Sequence, residues 1–361
     1  MPSKSKKSKK QTRQKESTAS RRKKSGGGST ARRLALFTGG FLAAIILATT
    51  VAGVWFVHHP RQWIAYCQRS WPRFVTAPLL WLGEPVGDFT DAIDLTGHDA
   101  VYEYDMEAPE GDVFFAGAPR RISQPAPDDI VILDKGEFVI GWSPTLRHPV
   151  WVAYHVPKDE KFFGLAQHRP GFSKDNSARL SPPSTSYTGS SYDRGHMAPN
   201  YAIATRFGAD AQRQTFQMSN IAPQSPALNR GVWREIEHRI ADFWTRCYGE
   251  VWVIVGCIPS ATSEIHGTGI DIPEAFWQVV VSQTGYDVRA FAVLFPQSVD
   301  FDAYPASGLV TIDELEELTG FDFLPDLASF LQTPLEAELP SRVWPIGFVP
   351  AVKKLFSNPT Y

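Results

Sequence analysis

A long apolar segment stands out near the start of the chain. Residues 34–57 contain no charged side chain and are rich in Ala, Leu, Ile, Val and Phe. About 20 apolar residues span a bilayer as a helix, so this segment predicts a single transmembrane signal anchor. A secretory signal has a shorter apolar core. The alternative is cleavage near Ala52, which would release the remainder as a secreted protein.

Shorter apolar runs, rich in β-branched and aromatic residues, predict strands in the second half of the chain. Residues 250–257 are apolar almost throughout, which is typical of a strand buried on both faces. A further strand is expected around His196. The other predicted strands cover residues 136–144, 150–156, 216–219, 272–281 and 288–296.

Apolar residues spaced by three or four positions predict helices. In residues 229–248 this stripe includes Trp233, Ile236 and Ile240. Residues 208–216 predict a short helix, and residues 311–319 predict another, with Thr311 as its N-cap.

Charge divides the chain unevenly. Residues 1–33 hold 13 of the 36 Lys and Arg residues but one of the 38 Asp and Glu residues, which leaves a net charge of −14 on the remainder. The tail is interpreted as a cytoplasmic, positively charged flank of the membrane span, with a nucleic-acid-binding or nuclear-targeting arm as the alternative. The chain after the span is then outside the cytoplasm, in the periplasm of a bacterium. An acidic domain also predicts modest, salt-sensitive binding of nucleic acid.

Composition suggests five segments. Residues 1–33 form the basic tail, 34–57 the anchor, and 58–129 a juxtamembrane region and linker. Residues 130–330 form the main globular domain, and 331–361 form a C-terminal tail with several prolines. Three cysteines argue against a disulfide scaffold. Cys247 and Cys257 either form a pair or are small buried residues.

Chemistry-bearing residues are concentrated between positions 192 and 237. Phosphodiester cleavage needs a base for the attacking water and positive charge near the phosphate. His196 can be the base, because a neutral imidazole titrates near physiological pH. Arg194 shares a face with it if the segment is extended, and its guanidinium can contact the same phosphate. Asn229 offers a carbonyl oxygen, an acceptable ligand for Mg²⁺.

Three motifs occur here in a fixed order. They are Asp193-Arg194-Gly195-His196-x-Ala198-Pro199, Ser219-Asn220-x-x-Pro223-Gln224, and Leu228-Asn229-x-Gly231-x-Trp233-x-x-x-Glu237. From Phe138 to Leu327 the chain resembles the DNA/RNA non-specific endonuclease family, which includes endonuclease G. The resemblance implies an α+β, ββα-metal fold with a central antiparallel sheet flanked by helices.

The resemblance also implies a site and its partners. Arg169 matches an upstream arginine that faces the phosphate. Asn220 would help to hold the phosphate or a metal-bound water. Glu237 would act through metal-bound water or an arginine, because a straight helix would place it about 12 Å along the axis from Asn229. The family further implies one Mg²⁺ on Asn229, for which Mn²⁺ can substitute, DNA or RNA as substrate, 5′-phosphate products and a homodimer.

Each candidate also has a purely structural interpretation. His196 could be a hydrogen-bonded core histidine, Arg194 could pair with Asp193, and Asn229 could be a helix N-cap. Asn220 could be a turn residue, while Arg169 and Glu237 could be solvated surface groups. The favoured interpretation is a metal-dependent, sequence-non-specific endonuclease with His196 as general base. The alternative is a catalytically inactive, membrane-tethered protein that binds or takes up nucleic acid. Likeness to endonuclease G adds the mitochondrial intermembrane space as another location.

Overall fold

A computed structural model describes residues 101–103, 112–158, 169–260, 262–340 and 342–344. The predicted basic tail and transmembrane anchor lie outside these residues, as do most of the predicted juxtamembrane region and the end of the C-terminal tail. Within the described part, no helix is long and apolar enough to cross a membrane.

Strands dominate the described chain. In order they are β1 Val101–Glu103, β2 Arg120–Arg121, β3 Val131–Asp134, β4 Phe138–Ser143, β5 His148–Val156, β6 Asp193–His196, β7 Ile221–Gln224, β8 Val251–Ile258, β9 Glu264–Ile265, β10 Ile270–Asp271, β11 Ala275–Thr284, β12 Asp287–Pro296, β13 Leu309–Val310 and β14 Phe321–Asp322. The central sheet has the order β1-β12-β11-β8-β5-β4-β3, and β13 pairs with β12. All of these pairings are antiparallel.

Alternating side chains of the sheet form two separate cores. On β8, Val253 and Val255 belong to one core, while Trp252 and Ile254 belong to the other. This alternation follows from the two-residue period of a strand. Both faces are covered, which explains why β8 is apolar along almost its whole length.

Helices cover both faces of the sheet. They are α1 Asn200–Phe207, α2 Ala209–Thr215, α3 Pro226–Arg230, α4 Val232–His238, α5 Thr245–Tyr248, α6 Ile312–Thr319 and α7 Ser329–Ala337, and a π-helical turn, Arg239–Trp244, joins α4 to α5. The first core includes Ala202 of α1 and Trp233 of α4. The second includes Leu315 of α6 and Leu331 of α7. The predicted α+β class, with a central antiparallel sheet and flanking helices, is confirmed.

Several local predictions are confirmed. The strands predicted at 136–144, 150–156, 250–257, 272–281 and 288–296 correspond to β4, β5, β8, β11 and β12. The helix predicted at 208–216 is α2. The Thr311 side chain caps α6 by accepting a hydrogen bond from the Glu314 amide at 3.0 Å.

Other local predictions were wrong. The helix predicted at 229–248 is interrupted at Gly231, and Asn229 lies in the last turn of α3, whose N-cap is Ser225. An added Cβ at Gly231 would collide with the Ala227 carbonyl oxygen, so the turn between α3 and α4 requires glycine. The strand expected at 216–219 is instead β7, because residues 218–220 form a 3₁₀ turn.

The fold also extends beyond the predicted domain of residues 130–330. Phe115 and Ala126, in the predicted linker, are buried in the second core. Strand β2 pairs with β14, and β1 pairs with β12. At the other end, the first part of the predicted tail is helix α7. The predicted linker and the predicted tail both have a loop-like composition, yet both contribute residues to the second core.

Cys247 and Cys257 do not form a disulfide. Cys257 is a buried thiol, as the non-disulfide interpretation expects, but Cys247 is exposed, so the expected burial was wrong for it. The Cys257 Sγ lies 3.6 Å from His148 Nδ1, and His148 Nε2 lies 3.0 Å from an Asp271 carboxylate oxygen. Burial disfavours the charged imidazole, but the contacts with Cys257 and Asp271 outweigh it and raise the pKa of His148 to about 10. The buried contacts of His148 therefore favour its protonated form.

Candidate active site

The pairing of β6 with β7 presents the central motif. In this two-stranded antiparallel ribbon, His196 lies opposite Ile221 and Asp193 lies opposite Gln224. Gly195 permits the close pairing, because a Cβ there would collide with the Gln224 side chain. Chain residues 226–230 then continue from β7 into α3.

Arg194 and His196 share a face, as the extended segment predicts. The Arg194 guanidinium carbon lies 5.6 Å from the Phe172 ring centroid, and the His196 ring centroid lies 5.4 Å from the same ring. The shared contact with Phe172 brings the two side chains to one side of β6.

Aromatic rings connect the three basic side chains of the site. Phe216 meets the His196 ring edge to face at 4.7 Å and lies 5.2 Å from the Arg169 guanidinium. Phe172 lies between His196 and Arg194, and Tyr187 lies 5.6 Å from Arg194 on another side. Cations are attracted to aromatic faces within about 6 Å. We call Phe172, Tyr187 and Phe216 the aromatic frame.

Two hydrogen bonds fix Arg194 further. Its Nε and one terminal nitrogen donate to the Ser184 carbonyl oxygen, at 3.1 and 2.7 Å. These bonds use one edge of the guanidinium and leave donors on the remaining terminal nitrogen. The alternative pairing of Arg194 with Asp193 is wrong, because Asp193 pairs with Arg230 instead.

His196 is held in its neutral form. The residue is partly exposed, but its Nε2 is buried and has no hydrogen-bond partner among the described residues. Burial, and second the positive charge of Arg169, lower the pKa of His196 to about 3. The interpretation of His196 as a hydrogen-bonded core histidine therefore does not fit its Nε2, which has no partner among the described residues.

Asp193 organises the residues around Asn229. The Asn229 amide nitrogen donates to Asp193 at 2.9 Å, and Arg230 donates twice to the same carboxylate, at 2.8 and 2.6 Å. Burial acts to raise the pKa of Asp193, but the hydrogen bonds from Arg230 and Asn229 outweigh it and lower the pKa. Because an ionised carboxylate holds its nitrogen, the Asn229 amide oxygen is left to coordinate a cation.

Asn220 has a different position from the one expected. It has no exposed surface, and its amide oxygen accepts a hydrogen bond from the Ala198 amide at 2.8 Å. Its amide nitrogen donates to the carbonyl oxygens of Ala198 and Thr215, each at 3.0 Å. The expected contact with phosphate or metal-bound water is not available to Asn220. It instead fixes the turn that follows His196.

Glu237 lies on α4, beyond the break at Gly231 that separates it from Asn229. Burial raises the pKa of its carboxyl to about 8, which excludes the interpretation of a fully solvated helix-face residue. Its charge raises the pKa of the buried Tyr154 hydroxyl, so the two groups are neighbours. No hydrogen bond or ion pair joins Glu237 to His196 or Asn229 among the residues that the structure describes.

Comparison with known proteins identifies the chain. Residues 120–330 match the sequence model of the family described as DNA/RNA non-specific endonuclease. The chain belongs to this family. It is therefore a nuclease, a hydrolase that acts on nucleic acid.

Individual relatives match a similar part of the chain. A nuclease from Nostoc is 28% identical over 59% of this chain and 80% of its own length. Mitochondrial nuclease EXOG from Xenopus laevis is 29% identical over 52% of this chain, which spans 56% of that relative. A crystal structure of an EndoG in complex with EndoGI has a TM-score of 0.49 and 22% identity, over 55% of this chain and 86% of the other.

Some residues that form this site were not identified from the three sequence motifs. Arg230 and the aromatic frame lie in or near the predicted region, but their roles were not predicted from the sequence. For Arg230 a usable signal was its position next to Asn229. For Phe172 and Phe216 the signal was weaker, since single aromatic residues in loops commonly belong to the core.

Proposed function

We propose that this nuclease is a metal-dependent, sequence-non-specific endonuclease that hydrolyses phosphodiester bonds in DNA, RNA or both, with His196 as general base. One observation supports it most. A neutral, partly exposed histidine lies on the aromatic frame that also contacts Arg169 and Arg194, and no hydrogen bond from the described residues occupies its Nε2. This arrangement suits proton removal from a water beside a phosphate, since an approaching anion raises the pKa of the imidazole.

The described residues fit a single hard divalent cation. Asn229 would supply the protein ligand through its amide oxygen, because Asp193 holds the amide nitrogen at 2.9 Å. Mg²⁺ retains several waters and needs few protein ligands. When bound, the ion would supply positive charge for the leaving oxygen; Mg²⁺ is the expected ion and Mn²⁺ can substitute. A carboxylate that hydrogen-bonds a metal-coordinating side chain fixes the orientation of that side chain. This is the role proposed for Asp193 toward Asn229.

The remaining side chains act on the phosphate. His196 accepts the proton of the attacking water. Arg194, fixed by the Ser184 carbonyl oxygen, and Arg169, held over Phe216, neutralise the non-bridging oxygens. Such contacts read phosphate and not base edges, which accounts for indifference to sequence. Glu237 is proposed to act through metal-bound water.

The finer fold and the setting of the enzyme belong to the same proposal. Strands β6 and β7 followed by α3 support the ββα-metal type. The 24-residue uncharged segment at 34–57 supports a single-pass membrane anchor with the nuclease domain outside the cytoplasm. Secretion after cleavage and the mitochondrial intermembrane space are the alternative locations. A homodimer is proposed from family membership.

The test uses the purified full-length chain with supercoiled plasmid and with single-stranded RNA, in Mg²⁺ and in EDTA. Cutting in Mg²⁺ alone is expected, and His196→Ala should reduce it by at least about 10³-fold. His266→Ala, at an exposed histidine outside the site, is the matched control and should cut like the wild type. Equal cutting in EDTA would contradict the metal requirement. Binding without cutting by folded wild-type protein would instead support the inactive tethered receptor.

A further inference from the structure

An acidic cluster lies on the face of the sheet opposite the candidate active site. Asp313 and Glu316 of α6 and Glu336 of α7 each offer one carboxylate oxygen, and these oxygens lie within 4.8 Å of one another. Helices α6 and α7 pack on the second core, through Leu315, Leu331 and Leu335. The catalytic motif packs on the first core, where Met197 and Ala198 are buried.

Glu336 provides a second, independent observation. Its side chain is 4% exposed, and its Oε1 is buried without a hydrogen-bond partner among the described residues. Gln332 supplies one side-chain hydrogen bond to the Glu336 carboxyl group, but Oε1 is left without a partner. A buried polar atom without a partner is costly, and native proteins normally satisfy such atoms. Because a Glu336 carboxylate oxygen lies within 4.8 Å of two other carboxylates, a cation would satisfy it.

No basic side chain supplies that partner. Among the described residues, no Lys or Arg forms an ion pair with Asp313, Glu316 or Glu336. Arg120 contacts the adjacent Asp322 at 4.0 Å, but it is largely exposed. One oxygen of Glu316 accepts a hydrogen bond from the Phe323 amide at 2.7 Å, which orients the carboxylate and leaves its other oxygen for a ligand.

The pKa values of two of these carboxyl groups are raised. Burial raises the pKa of Glu336 to about 8, and the negative charge of Glu316 contributes to the shift. Burial likewise raises the pKa of Glu316 to about 7. Without a cation, these groups resist becoming charged together.

We propose that Asp313, Glu316 and Glu336 form a second metal site, for a hard divalent cation of the Ca²⁺ class, that ties α6 to α7. The oxygen-only ligand set excludes a preference for soft metals. Ca²⁺ binds oxygens at about 2.3–2.6 Å, so two of its ligands lie at most about 5 Å apart, in agreement with the spacing of the cluster. Ca²⁺ also accepts irregular geometry and completes its shell with water.

The site would act on stability and not on the reaction. Because α6 and α7 cover the face of the sheet opposite α1 and α4, a bound cation would hold the C-terminal part of the fold onto the second core. The ion would also remove the repulsion among three carboxylates. This inference does not depend on the proposed nuclease mechanism.

Thermal unfolding of the metal-stripped full-length chain tests the site. In Asn229→Ala, which removes the proposed catalytic ligand, about 1 mM CaCl₂ should raise the Tm by about 5 °C over NaCl of equal ionic strength. Calorimetric titration of this variant should show one Ca²⁺ per chain. Adding Glu336→Gln should abolish both effects, as should Asp313→Asn, a second variant at an exposed position that leaves the buried carboxyl in place.

Glu317→Gln is the matched control, since Glu317 is exposed on the same helix and outside the cluster. It should retain the full Ca²⁺ response. The proposal is overturned if Asn229→Ala shows no Ca²⁺ response, or if the response survives both cluster substitutions. It is also overturned if Glu317→Gln removes the response equally, which would indicate general charge screening. Nuclease activity of Glu336→Gln in Mg²⁺ should match the wild type, so failure of this site and failure of the proposed function are distinguishable.

Discussion

The charge of Arg169 contributes to the low pKa of His196 from the edge of the site. Burial is the larger cause of the low pKa of His196, about 3, and the charge of Arg169 is the second. Arg169→Gln should therefore raise the pKa of His196 while leaving it below the ordinary value. Following the His196 ring protons by NMR against pH, in the free enzyme, measures the shift.

The same substitution should also lower kcat/KM by about 10²-fold, since a cation beside the phosphate is lost. Arg179→Gln changes an exposed arginine outside the site and should change neither quantity. An unaltered or lower His196 pKa in Arg169→Gln would contradict the electrostatic coupling.

Asp193 is expected to act through Asn229 and not on the substrate. Asp193→Asn removes the charge that holds Arg230 and the Asn229 amide. Substitutions of such supporting groups typically weaken metal affinity by about 10–100-fold. The concentration of Mg²⁺ required for half-maximal cutting should rise accordingly, and saturating Mg²⁺ should restore most of the rate.

The comparison is with Asp210→Asn, at an exposed carboxylate that pairs with Arg213 on α2. This variant should retain the wild-type Mg²⁺ requirement. A loss of rate in Asp193→Asn that saturating Mg²⁺ does not recover would instead give Asp193 a direct role in the reaction.

At the residue scale, the sequence predicted the side chains that carry charge better than it predicted their neighbours. Arg194 and His196 were expected on one face, because the two-residue period of a strand needs no tertiary information. Asn220 was expected near the phosphate, yet its amide is consumed by the backbone of Ala198 and Thr215. Whether a polar side chain faces substrate or backbone depends on tertiary packing, which a motif does not contain.

At the scale of elements, the ribbon of β6 and β7 depends on one close approach. The Gln224 side chain occupies the space that a Cβ of Gly195 would need. Gly195→Ala should therefore destabilise the fold by about 1–3 kcal/mol and reduce cutting, because either the buried Gln224 side chain or the strand that carries Arg194 and His196 must move. Urea unfolding and plasmid cutting measure the two effects.

A double substitution separates this collision from a general effect of losing glycine. In Gly195→Ala/Gln224→Ala the obstructing side chain is gone, so the combined destabilisation should be smaller than the sum of the single effects. Additive effects would show that Gln224 is not the obstacle. Gly171→Ala, where a Cβ meets nothing within 4 Å, serves as the control.

Element boundaries show where local patterns stop being informative. The long strands β8, β11 and β12 were predicted well because burial on both faces gives continuous apolar runs. The helix predicted at 229–248 was not, since the break at Gly231 packs closely against the Phe301 carbonyl oxygen as well as against Ala227 of α3, and the Phe301 approach is tertiary. Placing Asn229 at the end of α3, and Glu237 on the separate helix α4, depends on that break.

At the scale of the whole molecule, segments distant in sequence complete one fold. Residues near Phe115 and helix α7 pack on the same core, although composition suggested a linker and a tail. Their apolar residues are few and irregularly spaced, so no periodicity marks them. The net charge of −14 after residue 33 shows an excess of carboxyl groups, but only the structure identifies the buried ones, which include Glu237 and Glu336.

Those carboxyl groups and one buried histidine predict how stability depends on pH. The folded pKa of Glu237, about 8, exceeds its ordinary value of 4.5, so its stabilising contribution is complete below 4.5 and is lost as the pH rises to 8. The folded pKa of His148, about 10, exceeds 6.5, so its contribution is complete below 6.5 and is lost as the pH rises to 10.

Glu316 and Glu336 act in the same direction as Glu237. His155 and His196, with pKa lowered to about 4 and 3, destabilise only below 6.5.

The free energy of unfolding should therefore decrease between pH 6.5 and 8, by up to about 1.4 kcal/mol per pH unit for each whole proton by which the folded and unfolded states differ. Urea unfolding in EDTA across this window measures the slope. Glu237→Gln cannot ionise, so its slope should be shallower than that of the wild type. Glu264→Gln, at an exposed position, should leave the slope unchanged. A wild-type slope of zero would contradict the raised pKa values of Glu237 and His148. A slope that Glu237→Gln does not alter would mean that the Glu237 carboxyl is solvated in the folded state, and its burial would no longer support the proposed role through metal-bound water.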